Sequence, residues 1–96
     1  MDEIYALSTF DETAKFESIL SYWDELPDPQ RTVWFWGLSK DFTLSGLRVS
    51  VLFTQNAALK RCLFTLSMFQ TVPPIIQIAV LKMLTDFEWL DKSELA

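Results

Sequence analysis

Residues 32–54 read TVWFWGLSKDFTLSGLRVSVLFT, and this stretch decides how the chain folds. Its first part, Thr32-Val33-Trp34-Phe35-Trp36, is an unbroken β-branched and aromatic run. Such a run reads as a strand buried on both faces. Its last part, Arg48 to Thr54, alternates with Val49, Val51 and Phe53 on one face, which reads as a second strand. The connection between them is roughly ten residues, shorter than a parallel crossover needs, so the two strands are expected to be antiparallel. The chain's two glycines, Gly37 and Gly46, both lie in this connection.

Working outward, Ile4 to Phe10 is short and apolar and is read as the end of a strand. Asp11 to Tyr22 carries a weak helical pattern with Phe16, Ile19 and Leu20 on one side. Leu26-Pro27-Asp28-Pro29 ends any helix, because each proline removes a donor and restricts the residue before it. On the other side, Asn56 is a suitable N-cap for a helix through about Gln70, with Leu59, Leu63, Leu66 and either Phe69 or Gln70 at helical spacing. Pro73-Pro74 separates it from a second helix, whose stripe of Ile76, Val80, Met83, Phe87 and Leu90 runs to about Lys92. Both stripes are expected to pack into a core. The fold class is therefore α/β, an antiparallel strand pair with flanking helices. The Trp34-Phe35-Trp36 strand would need further neighbours to cover it, since an unpaired apolar strand invites aggregation. This points to a fragment of a larger sheet.

Composition narrows the function. The 96 residues are 50% hydrophobic and 15% aromatic, the signature of a globular chain. A domain of this size buries only roughly 60–65% of its unfolded surface. Thirteen acidic against eight basic residues leave a net charge of −5 and no basic stripe for phosphates, which disfavours nucleic-acid binding. There is no histidine, so the commonest general base and metal ligand is missing, and no metal site is expected. The single cysteine, Cys62, is read as a small buried hydrophobe. The acidic start, Met1-Asp2-Glu3, is unlike a signal peptide, and no apolar run approaches the roughly 20 residues that span a bilayer. An intracellular, cytoplasmic chain without a membrane segment is expected.

The connection itself carries chemistry. Lys40 follows the first strand, and Arg48 opens the second eight positions later. An amine and a guanidinium on one loop are the anchors that an aldehyde bearing a phosphate requires. Ser39-Lys40-Asp41-Phe42 followed by Leu44-Ser45-Gly46-Leu47-Arg48-Val49 resembles the S-K-D-x-G-L-x-G-x-R-x-G signature of fold-type I aminotransferases, class I/II. The closest likeness is to the aminocyclopropane-carboxylate synthase-like branch. Asp2-Glu3-Ile4-Tyr5 is similar to the D-E-x-Y segment that precedes the lysine in that family. Leu26 to Thr32 resembles the segment leading into its lysine strand. The likeness spans residues 1–96 and implies the central part of the large domain of a pyridoxal 5′-phosphate-dependent transferase or lyase of amino-acid metabolism.

The resemblance assigns roles residue by residue. Lys40 would bind the cofactor's aldehyde and then move the substrate's α-proton. Arg48 would clamp the phosphate and Ser39 would help orient it. Asp2 would face the pyridinium nitrogen, and Tyr5 would hydrogen-bond the ring's phenolic oxygen. The family's other cofactor contacts, and the arginine that reads the substrate carboxylate, fall outside these residues. The resemblance therefore implies an amino-acid substrate and a homo- or hetero-dimer for the parent protein, but an isolated chain without turnover. A non-catalytic fragment that assembles with full-length relatives is the alternative. The sequence also departs from the family. Thr43 and Ser50 stand where the family usually has glycine, and Gly37 stands where many relatives place a phosphate-binding serine. A β-branched residue is costly at Thr43 if that position needs positive φ.

Overall fold

A computed structural model describes residues 1–92. The sheet has two strands, β1 (Val33–Gly37) and β2 (Ser50–Thr54), and they are antiparallel as expected. The register runs from Val33 opposite Thr54 to Gly37 opposite Ser50. Residues 1–3 lie along the other edge of β1. There Glu3 N–H donates to the Phe35 carbonyl and Phe35 N–H to the Met1 carbonyl, both at 3.1 Å, making a parallel bridge between Asp2 and Phe35. The N-terminal strand contact thus falls at Asp2, not within Ile4 to Phe10. Residues 4–7 are turns instead, with Ala6 N–H closing onto the Glu3 carbonyl and Ser8 N–H onto Tyr5.

The helix expected over Asp11 to Tyr22 does not form as such. The Asp11 carboxylate accepts from both the amide and the hydroxyl of Thr13, at 2.8 and 2.6 Å. A local bond of this kind offers the backbone an alternative to helix. A 3-10 helix, Ile19–Glu25, follows, capped by Ser18 and kinked at Tyr22. Beyond the sheet, Asn56 does cap α2 (Ala57–Ser67), its side chain accepting from Leu59 N–H at 3.0 Å. α2 ends three residues before Gln70. Pro74 starts α3 (Pro74–Thr85) as expected, but the long stripe breaks at Asp86, whose carboxylate accepts from Trp89 N–H at 3.0 Å and begins α4 (Phe87–Lys92).

Burial differs most from expectation. The buried apolar side chains among the described residues are Trp23, Leu38 and Phe42. Trp23 meets Phe53 edge-on at 4.9 Å, and Phe42 sits between Trp36 and Trp89 at 6.1 and 6.4 Å. β1 is only half-buried, with Phe35 exposed. No residue of α2, α3 or α4 is fully buried. On α3 the stripe residues Ile76, Val80 and Met83 are half-covered, while Ile75, Ile78 and Leu81 on the opposite side are exposed. A helix apolar all round is suited to burial on all sides, and the described residues cover only one. Cys62 is exposed, contrary to its reading as a core residue, because the α2 face that carries it is uncovered. No helix among the described residues is long and apolar enough to cross a membrane.

Candidate cofactor site

The connection between the strands is a closed loop. Leu38 N–H donates to the Val49 carbonyl at 3.1 Å, pinning its two ends, and Leu44 N–H returns to the Leu38 carbonyl at 3.1 Å. Within it, Leu38–Asp41 forms one helical turn, α1, and Ser45–Leu47 a 3-10 turn. α1 exists because Leu38 and Phe42 both turn inward and are buried, which carries Ser39 and Lys40 to the outside. Two residues bend the loop back with positive φ, Thr43 and Arg48, both at 55°. The departure flagged at Thr43 is thus a left-handed position occupied by a β-branched residue. The same conformation at Arg48 has no signal in the sequence. Ser50 lies in regular β2 and needs no glycine. Gly37 is tightly enclosed: a Cβ there would stand 3.1 Å from the Val49 carbonyl oxygen and 3.3 Å from Ile4 Cδ1, so a side chain would need its neighbours to give by a few tenths of an ångström. Gly46 has neither positive φ nor a close neighbour.

The five predicted residues are arranged as follows. Lys40 is exposed and Ser39 half-buried on α1, and neither side chain has a hydrogen-bond partner among the described residues. Arg48 is exposed at the far end of the loop, where Nη1 donates to the Ser45 carbonyl at 3.3 Å and its other donors are open. Asp2 is exposed beside Phe35 of β1, with Oδ1 accepting from Ile4 N–H at 3.1 Å. Tyr5 is exposed in the following turn, its hydroxyl unbonded among the described residues. The structure therefore brings the lysine and arginine onto one pinned loop and the Asp2–Tyr5 segment onto the strand that leads into it. No hydrogen bond links the five side chains to one another. As a donor set they fit a phosphorylated pyridine aldehyde: an unpaired amine, an exposed guanidinium, two free hydroxyls, and an acid with one carboxylate oxygen open.

Two further acids organise these segments, and sequence patterning missed both. Asp41 is buried and accepts from Ser8 Oγ at 2.6 Å, Trp36 Nε1 at 2.7 Å and Leu7 N–H at 3.0 Å. Glu3 is buried and accepts from Ser18 Oγ and Ile19 N–H, both at 2.7 Å. Burial by itself pushes the Glu3 carboxyl up. The Ser18 hydroxyl, the nearby Trp34 indole, the Ile19 amide and the terminal ammonium together outweigh it and hold the group below its ordinary value. The Trp34 N–H stands close to Glu3 without meeting hydrogen-bond geometry. A buried acid inside a single helical turn has no periodicity to announce it. The signal available was only that Asp41 sits between the inward-facing Leu38 and Phe42.

Residues 1–95 match the sequence model of the family described as aminotransferase class I and II. The chain belongs to that family. Among its curated relatives, the 1-aminocyclopropane-1-carboxylate synthase-like protein 1 of Takifugu rubripes is 43% identical over 91 residues, 95% of this chain and 15% of that protein. The mouse protein named "Probable inactive 1-aminocyclopropane-1-carboxylate synthase-like protein 2" is 42% identical, over 96% of this chain and 16% of its own length. The 1-aminocyclopropane-1-carboxylate synthase 6 of Arabidopsis thaliana is 34% identical, over 95% of this chain and 19% of its own length. The chain thus spans less than a fifth of these aminotransferase-family relatives. No solved structure matches it.

Proposed function

We propose that the chain is the pyridoxal-phosphate-binding segment of an aminotransferase class I/II or aminocyclopropane-carboxylate synthase-like protein acting on amino acids, and that alone it does not turn over substrate. The observation that carries this reading is the pinned loop, which presents Lys40 and Arg48 outward from one closed unit. The cofactor, when bound, supplies an electron sink for charge developing at the substrate's α-carbon. Lys40 Nζ would hold the cofactor at its aldehyde carbon and, once freed by the substrate's amine, would hold and return the substrate's α-proton. Arg48 would bind the phosphate through its open guanidinium donors, and the Ser39 hydroxyl would orient that phosphate. The Asp2 carboxylate would hold the ring nitrogen and favour its protonated form, while the Tyr5 hydroxyl would bond the ring oxygen. Groups that would read the substrate are not among these assignments, which is why turnover is not expected.

Trapping tests it. The chain is mixed with dilute pyridoxal phosphate, reduced with borohydride, and the adduct mapped by mass spectrometry. Labelling is expected at Lys40 selectively, and Arg48→Ala is expected to weaken it by about tenfold or more, as for loss of a charge-assisted phosphate contact. Equal labelling at Lys15, Lys60, Lys82 and Lys92 would show the loop to be a relic.

The second reading, a non-catalytic fragment that assembles with a full-length relative, is favoured by one observation. Val51, Leu52 and Phe53 of β2 are exposed, as are Ile75 and Ile78 of α3. Absence of any affinity for a full-length homologue in sedimentation would remove it.

A further inference from the structure

We infer that Asp41 is a positioning residue that sets Asp2 and Tyr5 relative to Lys40, an inference that rests on the cofactor reading above. Asp41 directly follows Lys40 and is 4% exposed. No cation pairs with it; the ion pair among the described residues is Lys92 with Glu88. A buried carboxylate without a cation is costly unless fully hydrogen-bonded. Its two oxygens take three neutral donors: Ser8 Oγ on Oδ1, and Leu7 N–H with Trp36 Nε1 on Oδ2. Two of the three come from residues more than thirty positions upstream. The segment carrying Asp2 and Tyr5 is therefore fixed at both ends. The bridge to Phe35 holds it at Asp2, through Met1 and Glu3 on either side, and Asp41 holds it after Tyr5. The third donor, from Trp36 of β1, orients the carboxylate between them.

This arrangement distinguishes position from charge. In Asp41→Asn the amide oxygen in place of Oδ2 still accepts from Leu7 and Trp36. The amide nitrogen then donates to the Ser8 hydroxyl, which can accept. Asp41→Ala loses all three bonds.

The test combines cofactor trapping with amide hydrogen exchange on the full chain. Asp41→Ala is expected to lower Lys40 labelling about tenfold and to free the Leu7 amide to exchange, while the β1–β2 ladder amides stay protected. Asp41→Asn is expected to keep both near wild type. Tyr5→Phe is expected to lower labelling in the wild-type chain but to add nothing in the Asp41→Ala background, a coupling that an anchor unrelated to the cofactor would not produce. If Asp41→Ala loses ladder protection, Ser8→Ala carries the test, with a loss of about threefold or more expected. Undiminished Lys40 labelling in a folded Asp41→Ala chain, or in Ser8→Ala where the former does not fold, overturns the inference. So does loss in Asp41→Asn as deep as in Asp41→Ala, since that would make charge the agent. If the wild-type chain fails to label Lys40 selectively, the cofactor reading fails first and this inference falls with it.

Discussion

Thr43 is held at φ 55° in the loop that carries Lys40, and it is exposed. A side chain with a branched Cβ in the left-handed region costs roughly 1–2 kcal/mol, and glycine adopts that conformation without the clash. Thr43→Gly is therefore expected to stabilise the chain by about 1 kcal/mol, the gain being reduced by glycine's greater freedom when unfolded. The measurement is the urea midpoint at unchanged slope; a lower midpoint would mean that Thr43 makes a compensating contact. Thr43 was legible because the resemblance supplied a glycine to compare it with. Arg48 shares its conformation and was not legible, because arginine is the residue the motif expects there. At Gly37 the sequence suggested a lost phosphate contact, whereas the Val49 carbonyl crowds the position where a side chain would begin. Only the fold reveals that constraint.

The two paired strands and the start of α2 were readable because their causes are local. β-branched and aromatic runs favour a pleated surface, and Asn56 satisfies an amide three residues on. The stretch from Asp11 to Tyr22 misled because Asp11 and Ser18 spend their side chains on nearby amides. What joins this stretch to the sheet is Glu3, whose carboxylate binds the start of the 3-10 helix through Ser18 and Ile19. Its folded-state pKa lies below the ordinary glutamate value of 4.5. The stability it contributes is thus complete above that value and is lost as pH falls through the lowered folded-state pKa. Glu3→Gln is expected to lower the melting temperature at about pH 6, with the gap from wild type closing as pH falls below 4.5. A gap that widens on acidification would reverse the sign and refute the assignment.

Taken whole, the molecule is flat. Its radius of gyration is 15.3 Å and its extents are 40 × 36 × 19 Å. A compact chain of this length would have a radius near about 12.5 Å. The excess has a visible counterpart in Phe64, Phe69 and Ile75, each at least three-quarters exposed. A strand apolar on both faces asks for cover on both, and β1 receives it in part, flanked by β2 and residues 1–3 with Phe35 left exposed. The small size of the core could not be read from the sequence, since stripes at helical spacing do not say whether anything covers them. The expected outcome is self-association at micromolar concentrations, followed by sedimentation velocity, with a broad loss of tryptophan fluorescence on heating. A monomer with a sharp cooperative transition would contradict it.

The double tether of the N-terminal segment has a consequence for the order of assembly. The β1–β2 hairpin closes over its own short connection, so the loop with Lys40 and Arg48 can form early. The segment with Asp2 and Tyr5 must return across 32 to 34 residues to reach Val33 and Asp41. Closing the longer span costs more chain entropy, and contacts of that kind are the last to form and the first to open. The anchoring half of the candidate site is thus built independently of the half that would touch the ring. Mild destabilisation would leave the loop intact but without its second half, so that it captures an aldehyde and a phosphate as weakly as the Asp41→Ala chain is expected to.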